Sequence, residues 1–101
     1  MNTFKIIPLK DVEDFILKLP IKDQYKISAA TDALKYKKFE SVYIKQLKGE
    51  IKELRVKNYR LLFFIHDDNL FFVRIFVKKS RKTPRNEIHL AEKFYKLYIT
   101  N

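Results

Sequence analysis

Between Arg74 and Arg85 the chain places Arg74, Lys78, Lys79, Arg81, Lys82 and Arg85, and no acid. Two more arginines, Arg55 and Arg60, stand upstream in apolar segments, and Glu53 lies two residues before the first of them. Guanidinium and ammonium groups gathered in this way hold oxyanions, phosphate above all, and stabilise charge that develops on phosphoryl oxygens. Phe72 and Phe76, interleaved with these cations, offer faces on which unpaired bases can stack, which suits single-stranded RNA better than a duplex. The competing reading of such a charge run is an ordinary solvated loop. Other chemistries lack their residues. There is no cysteine, so no thiol nucleophile, disulfide frame or thiolate metal site. The two histidines, His66 and His89, are too far apart in sequence for a short metal motif, and no Ser-His-Asp set is indicated. Gly49 is the only glycine, which excludes the glycine-rich phosphate loops of nucleotide-cofactor folds.

The elements that must position these cations fit into 101 residues, enough for one domain, 1–101, with one core. Hydrophobic residues make up 47% and aromatics 15%, far above what keeps a highly charged chain disordered. The formal net charge is +10. It is uneven: residues 1–44 carry eight bases and six acids, residues 45–101 fourteen and six. A polyanionic partner is therefore expected at the C-terminal half, rather than charge spread for solubility. Phe4, Ile6 and Ile7 form too brief an apolar patch for a signal peptide, and no run is long enough to span a membrane. A cytoplasmic protein without membrane partners is expected.

Phe4 to Pro8 reads as a short edge strand, since Pro8 cannot donate to a ladder. Val12, Phe15, Ile16 and Leu19 make one helical stripe that Pro20 interrupts, and Ile27, Ala30, Thr31 and Leu34 repeat it between Ile21 and Lys37. Asp23 falls in the first turn of that second helix, where an acid suits the dipole. Phe39 to Gly49 has no clear period and ends in a turn at Lys48-Gly49. Glu50 to Lys57, Tyr59 to His66 and Leu70 to Lys78 then read as a three-stranded meander. Thr83 as hydroxyl N-cap, Pro84 at the first helical position and Glu87 open a last helix, with Ile88, Ala91, Phe94, Tyr95 and Tyr98 on its apolar face. The expected class is α+β: a small antiparallel sheet, the N-terminal edge strand plus the meander, packed against an N-terminal helical hairpin, with a C-terminal helix, in the order β-α-α-β-β-β-α.

Register decides where the cations point. A two-residue loop at Lys57-Asn58 sets Val56 opposite Tyr59 and Arg55 opposite Arg60. A three-residue loop at Asp67-Asp68-Asn69 then pairs His66 with Leu70, Phe64 with Phe72, Leu62 with Arg74 and Arg60 with Phe76. One face collects Leu54, Val56, Tyr59, Leu61, Phe63, Ile65, Phe71, Val73, Ile75 and Val77. The other collects Glu53, Arg55, Arg60, Leu62, Phe64, Phe72, Arg74, Phe76 and Lys78. A two-residue second loop would turn Arg74 into the core, so the longer loop is expected. Arg55 opposite Arg60, with Arg74 near, calls for an anion between them, because like charges facing each other destabilise a ladder. Lys78, Lys79, Arg81 and Lys82 follow directly, just before the last helix, whose first N–H groups also favour an anion.

In order and interval, Gly49-Glu50-Ile51-Lys52-Glu53-Leu54-Arg55, Asn58-Tyr59-Arg60 and Phe76-Val77-Lys78-Lys79-Ser80-Arg81-Lys82-Thr83-Pro84, with Glu87-Ile88 and Ala91, resemble the phage-derived HigB-type branch of the RelE/ParE toxin superfamily. The likeness spans nearly the whole chain. It implies a RelE-like fold and a type II toxin: a metal-independent endoribonuclease without cofactor that cleaves mRNA on the ribosome and is silenced by a helix-turn-helix antitoxin of the HigA kind. It also implies that Arg55, Arg60, Lys78, Lys79 and Lys82 hold and polarise the scissile phosphate. Arg74, Phe76, Arg81 and Arg85 are added as RNA contacts by charge and place. The branch usually carries an aliphatic-His-Gly approach to the Phe, where this chain has Val73-Arg74-Ile75, so the general base is left open. Glu53 is read as an ion-pair partner for Arg55, and Tyr95 and Tyr98 as core. The alternatives are a ParE-like inhibitor of gyrase and a basic RNA-binding module without activity.

Overall fold

A computed structural model describes residues 2–99. The strand Lys5–Pro8 (β1) leads into two helices, Lys10–Leu17 (α1) and Ile21–Lys35 (α2). A 3₁₀ turn at Phe39–Ser41 precedes four strands, Tyr43–Gln46 (β2), Lys52–Val56 (β3), Tyr59–His66 (β4) and Asn69–Val77 (β5), and Arg85–Ile99 forms the last helix (α3). The α+β class and the helical hairpin are as expected. The sheet is larger than expected: its order is β1-β5-β4-β3-β2, with β1 parallel to β5 and the other neighbours antiparallel. The element order is thus β-α-α-β-β-β-β-α, and β2 is the added strand. It escapes a periodicity reading because it is an edge: Tyr43, Lys45 and Gln46 are exposed and only Ile44 is half-buried.

Pro20 divides the helical hairpin as its fixed φ requires, and its carbonyl accepts the Asp23 and Gln24 N–H groups that open α2. The Gln24 amide donates to the Leu17 and Leu19 carbonyls, closing the end of α1 across the same short link. Val12, Ile27 and Leu34 then pack on one face of the sheet against Leu54, Leu61, Phe63 and Phe72. The opposite face is covered by α3, with Ala91 buried over Leu62, Phe64 and Val73. Strand β4 is therefore buried from Tyr59 to Phe64, consistent with the apolar run from Leu61 to Ile65, and Arg60 is buried with it. No helix of the described residues is long and apolar enough to cross a membrane.

The β3–β4 hairpin has the expected register, with Val56 opposite Tyr59 and Arg55 opposite Arg60. The β4–β5 hairpin differs in its turn. Asp67-Asp68 is a two-residue loop, with His66 opposite Asn69, Phe64 opposite Phe71 and Phe63 opposite Phe72. A β-bulge then leaves Val73 without an opposite residue, and beyond it Leu62 faces Arg74 and Arg60 faces Phe76, as expected. The bulge does the work assigned to the longer loop: it keeps Arg74 out of the core. Its consequence is that Phe72 is not on the cationic face. It is 1% exposed in the core under the helical hairpin, while Phe71 and Val73 lie on the α3 side.

Candidate phosphate-binding cleft

One row of side chains crosses four strands on the α3 side of the sheet. Tyr43 pairs with Arg55, Arg55 with Arg60, and Arg60 with Phe76. The row lies beyond the start of α3. At one end the Arg55 guanidinium stacks over the Tyr43 ring, 4.8 Å from its centroid, and faces a groove along β2. In the middle, Arg60 is 8% exposed. Its Nη1 donates to the carbonyls of Lys57 (3.1 Å) and Tyr59 (3.0 Å), and it has no ion pair among the described residues. Desolvating a cation without a counter-charge is costly, and the missing charge is what an anionic ligand would bring.

Arg60 and Phe76 form the floor of a cleft whose wall is the segment Lys78 to Pro84, exposed except at Thr83. Lys78, Lys79, Arg81 and Lys82 thereby line the same cleft as Arg60. The cleft encloses about 10 Å³, the room of one water-sized atom, so it can seat a phosphate oxygen but not a base. Two ties fix the wall. At its start the Lys78 N–H donates to the Asn58 carbonyl (2.6 Å) in the β3–β4 turn. At its end Thr83 donates its hydroxyl to Glu53 Oε2. Thr83 is therefore not the expected N-cap: the Pro84 carbonyl accepts the first helical N–H groups, those of Glu87 and Ile88.

Glu53 is wholly buried and uses both oxygens, since Oε1 accepts from Arg55 Nε at 2.9 Å. It orients Arg55, as expected, and also anchors the cationic segment. Arg74 is paired as well. Its Nε and Nη2 reach the Glu87 carboxylate at 2.5 and 3.3 Å, and this hydrogen bonding holds its pKa above the ordinary value. Arg74 thus joins β5 to the first turn of α3, and its expected place among the RNA contacts is taken by an internal bond.

A family model described as "Phage derived protein Gp49-like" matches residues 14–96, which include the entire cleft. The chain belongs to this family. No curated protein matches the chain. Among solved structures, the archaeal RelE-RelB complex from Pyrococcus horikoshii OT3 is similar, with a TM-score of 0.69, 18% identity, and coverage of 79% of this chain and 99% of that one. The RelB-RelE antitoxin-toxin complex from Methanococcus jannaschii gives a TM-score of 0.60 and 18% identity over 82% of this chain and 94% of that one. The Gp49-like chain thus has the fold of these RelE structures, and the RelE-like fold expected from its sequence is borne out.

In this Gp49-like protein Arg85 does not join the cleft. It begins α3 and lines a separate hollow of about 600 Å³ with Lys48, Ile88, His89 and Glu92. His66 sits beside Asp67 at the far hairpin, away from Arg60. Tyr95 and Tyr98 pack on Phe64 and Phe71, as expected of core residues, although Tyr98 is half exposed. Sequence reasoning missed Tyr43, whose position opposite Arg55 is visible only once β2 is known. It also missed the partner of Asp23. That carboxylate, buried at the start of α2, accepts from Lys57 Nζ (2.7 Å) and the Tyr59 hydroxyl (2.5 Å), and these bonds hold its pKa below the ordinary value.

Proposed function

We propose that this protein is the toxin of a RelE-type toxin–antitoxin pair, of the HigB-like kind, and that it cleaves mRNA on the ribosome at a phosphate seated on Arg60. The observation that carries this reading is the buried Arg60 guanidinium without a counter-charge, facing a wall of four cations. The family membership and the toxin–antitoxin complexes that share the fold support it. In the reaction a ribose 2′-oxygen bonds to the adjacent phosphorus and the bond from phosphorus to the 5′-oxygen breaks, leaving a 2′,3′-cyclic phosphate and a 5′-hydroxyl. The nucleophile is part of the substrate, so the protein's task is to align it, stabilise the added charge and move two protons. Arg60 would hold a non-bridging oxygen, and Lys78, Lys79 and Lys82 would stabilise the charge that develops there. Arg55 acts from the side, stacked on Tyr43. Glu53 is not the base: its two oxygens are engaged and its side chain is shielded.

Induction of the wild type should arrest growth and generate discrete mRNA 5′ ends. Arg60→Ala or Lys79→Ala should lower cleavage by about 100-fold or more, the scale of removing one charge-stabilising donor, with the fold intact by circular dichroism. Unchanged 5′ ends in both variants would remove the assignment. Intact transcripts with a DNA-damage response would replace it by the ParE-like reading. The partner proposed to silence the protein is a HigA-like helix-turn-helix antitoxin, and restored growth on its co-expression is the expected result.

A further inference from the structure

We propose that Asp23, on the opposite side of the sheet from the cleft, is the residue that positions Arg60, acting through the Lys57-Asn58 turn. The inference rests on the cleft reading above for its functional consequence, and on bonds within the chain for its mechanism. Among the described residues, Arg60 Nη1 is held by two acceptors, the carbonyls of Lys57 and Tyr59. The side chains of these same two residues end on the two oxygens of Asp23: Lys57 Nζ on Oδ1 and the Tyr59 hydroxyl on Oδ2. One carboxylate thus grips, from the helical-hairpin face, both residues whose main chain grips the guanidinium on the other.

Three further facts show that the turn needs this grip. Lys57 has φ +54°, a left-handed conformation that a lysine adopts reluctantly, so its peptide orientation must be fixed from outside. The third residue of the turn region, Asn58, accepts the Lys78 N–H at 2.6 Å, so the orientation that serves Arg60 also sets the start of the cationic wall. Asp23 itself is anchored at the first turn of α2, where its own N–H bonds the Pro20 carbonyl at 2.9 Å. The path from Asp23 to Arg60 therefore has two arms, one through the Lys57 ammonium and the Lys57 carbonyl, the other through the Tyr59 hydroxyl, its rigid ring and the Tyr59 carbonyl.

Two measurements test this. The first uses free protein. In wild type the Arg60 guanidinium should give distinct, slowly rotating ¹⁵N–¹H signals in NMR. Asp23→Asn and Tyr59→Phe should broaden or merge them, while the backbone spectrum away from residues 57–60 stays in place. Tyr59→Phe removes a single oxygen and remains informative should Asp23→Asn lower the yield of folded protein. Unchanged Arg60 signals in Tyr59→Phe and in a folded Asp23→Asn would overturn the proposal.

The second is a double-mutant cycle on binding of a 2′-O-methyl RNA oligonucleotide, which cannot be cleaved, followed by fluorescence anisotropy. Asp23→Asn is expected to weaken binding by about tenfold in the wild-type background and by less than about twofold beside Arg60→Ala. Equal losses in both backgrounds mean that Asp23 acts elsewhere, and would also overturn the proposal. If Arg60→Ala alone leaves binding unchanged, the cleft reading of function falls, and the NMR signals still decide whether Asp23 positions Arg60.

Discussion

Three arginines on one face of the sheet are equivalent by composition and differ by what stands next to them. Arg55 has Glu53 on its Nε and Arg74 has Glu87 on its Nε and Nη2, whereas Arg60 has, among the described residues, carbonyls and no carboxylate. The facing of Arg55 and Arg60 was legible from the turn at Lys57-Asn58. The Glu87 partner of Arg74 was not, because it lies 13 residues on, and only the packing of α3 brings it back. The Asp23–Tyr59 contact gives a prediction at this scale. The hydroxyl donates to a carboxylate, which holds the Tyr59 pKa above its ordinary value of 10.0. The stability this bond contributes is complete below pH 10.0 and is lost as pH rises through the higher folded value. Alkaline unfolding of Tyr59→Phe, followed by circular dichroism, should therefore begin from lower stability and fall less steeply above pH 10 than in wild type. Asp23 works at the other end: with its pKa lowered, its contribution is complete above 3.8 and disappears as pH falls through the folded value.

The elements follow from the sequence wherever one of their faces is buried and blur where none is. Strands β3 and β4, with Leu54, Leu61 and Phe63 on one side and Leu62 and Phe64 on the other, announce themselves. Strand β2 does not, since an exposed edge imposes no alternation. The bulge was hidden for a different reason: a longer loop and a shorter loop plus one extra residue place Arg74 identically, and apolar residues on both sides of β5 do not distinguish them. Because Val73 is the extra residue, its deletion should leave both flanking registers in place and yield a folded protein with a regular β4–β5 ladder. The expected loss is that of one buried valine, about 2–3 kcal/mol, measured by urea unfolding. Deleting Leu61 from the unbulged strand β4 inverts the faces of its neighbours, and no cooperative transition is expected. Comparable stability of the two deletions would contradict the bulge.

Across the molecule, a net charge of +10 is divided between pairs that close on themselves and a set that does not. The cleft gathers the second kind: Arg60, Lys78, Lys79, Arg81 and Lys82. If these five meet phosphates, the logarithm of affinity for single-stranded RNA should fall with the logarithm of salt concentration at a slope of roughly −3.5. Replacing Arg74 together with Glu87 by methionines should leave that slope unchanged, and a slope near zero in the wild type would show that the cleft does not bind the backbone.

Strand β4 is paired on both edges and roofed on both faces, whereas residues 78–82 touch solvent throughout. Backbone amides of Leu61 to Phe64 should consequently trade hydrogen for deuterium only when the entire domain comes apart, and those from Lys79 to Lys82 within fast local openings. On the proposed reading, the cation that would receive the phosphate rides on the last part of the protein to loosen, and the cations of the wall ride on the first, so that strands of RNA would be admitted and released without disturbing the seat.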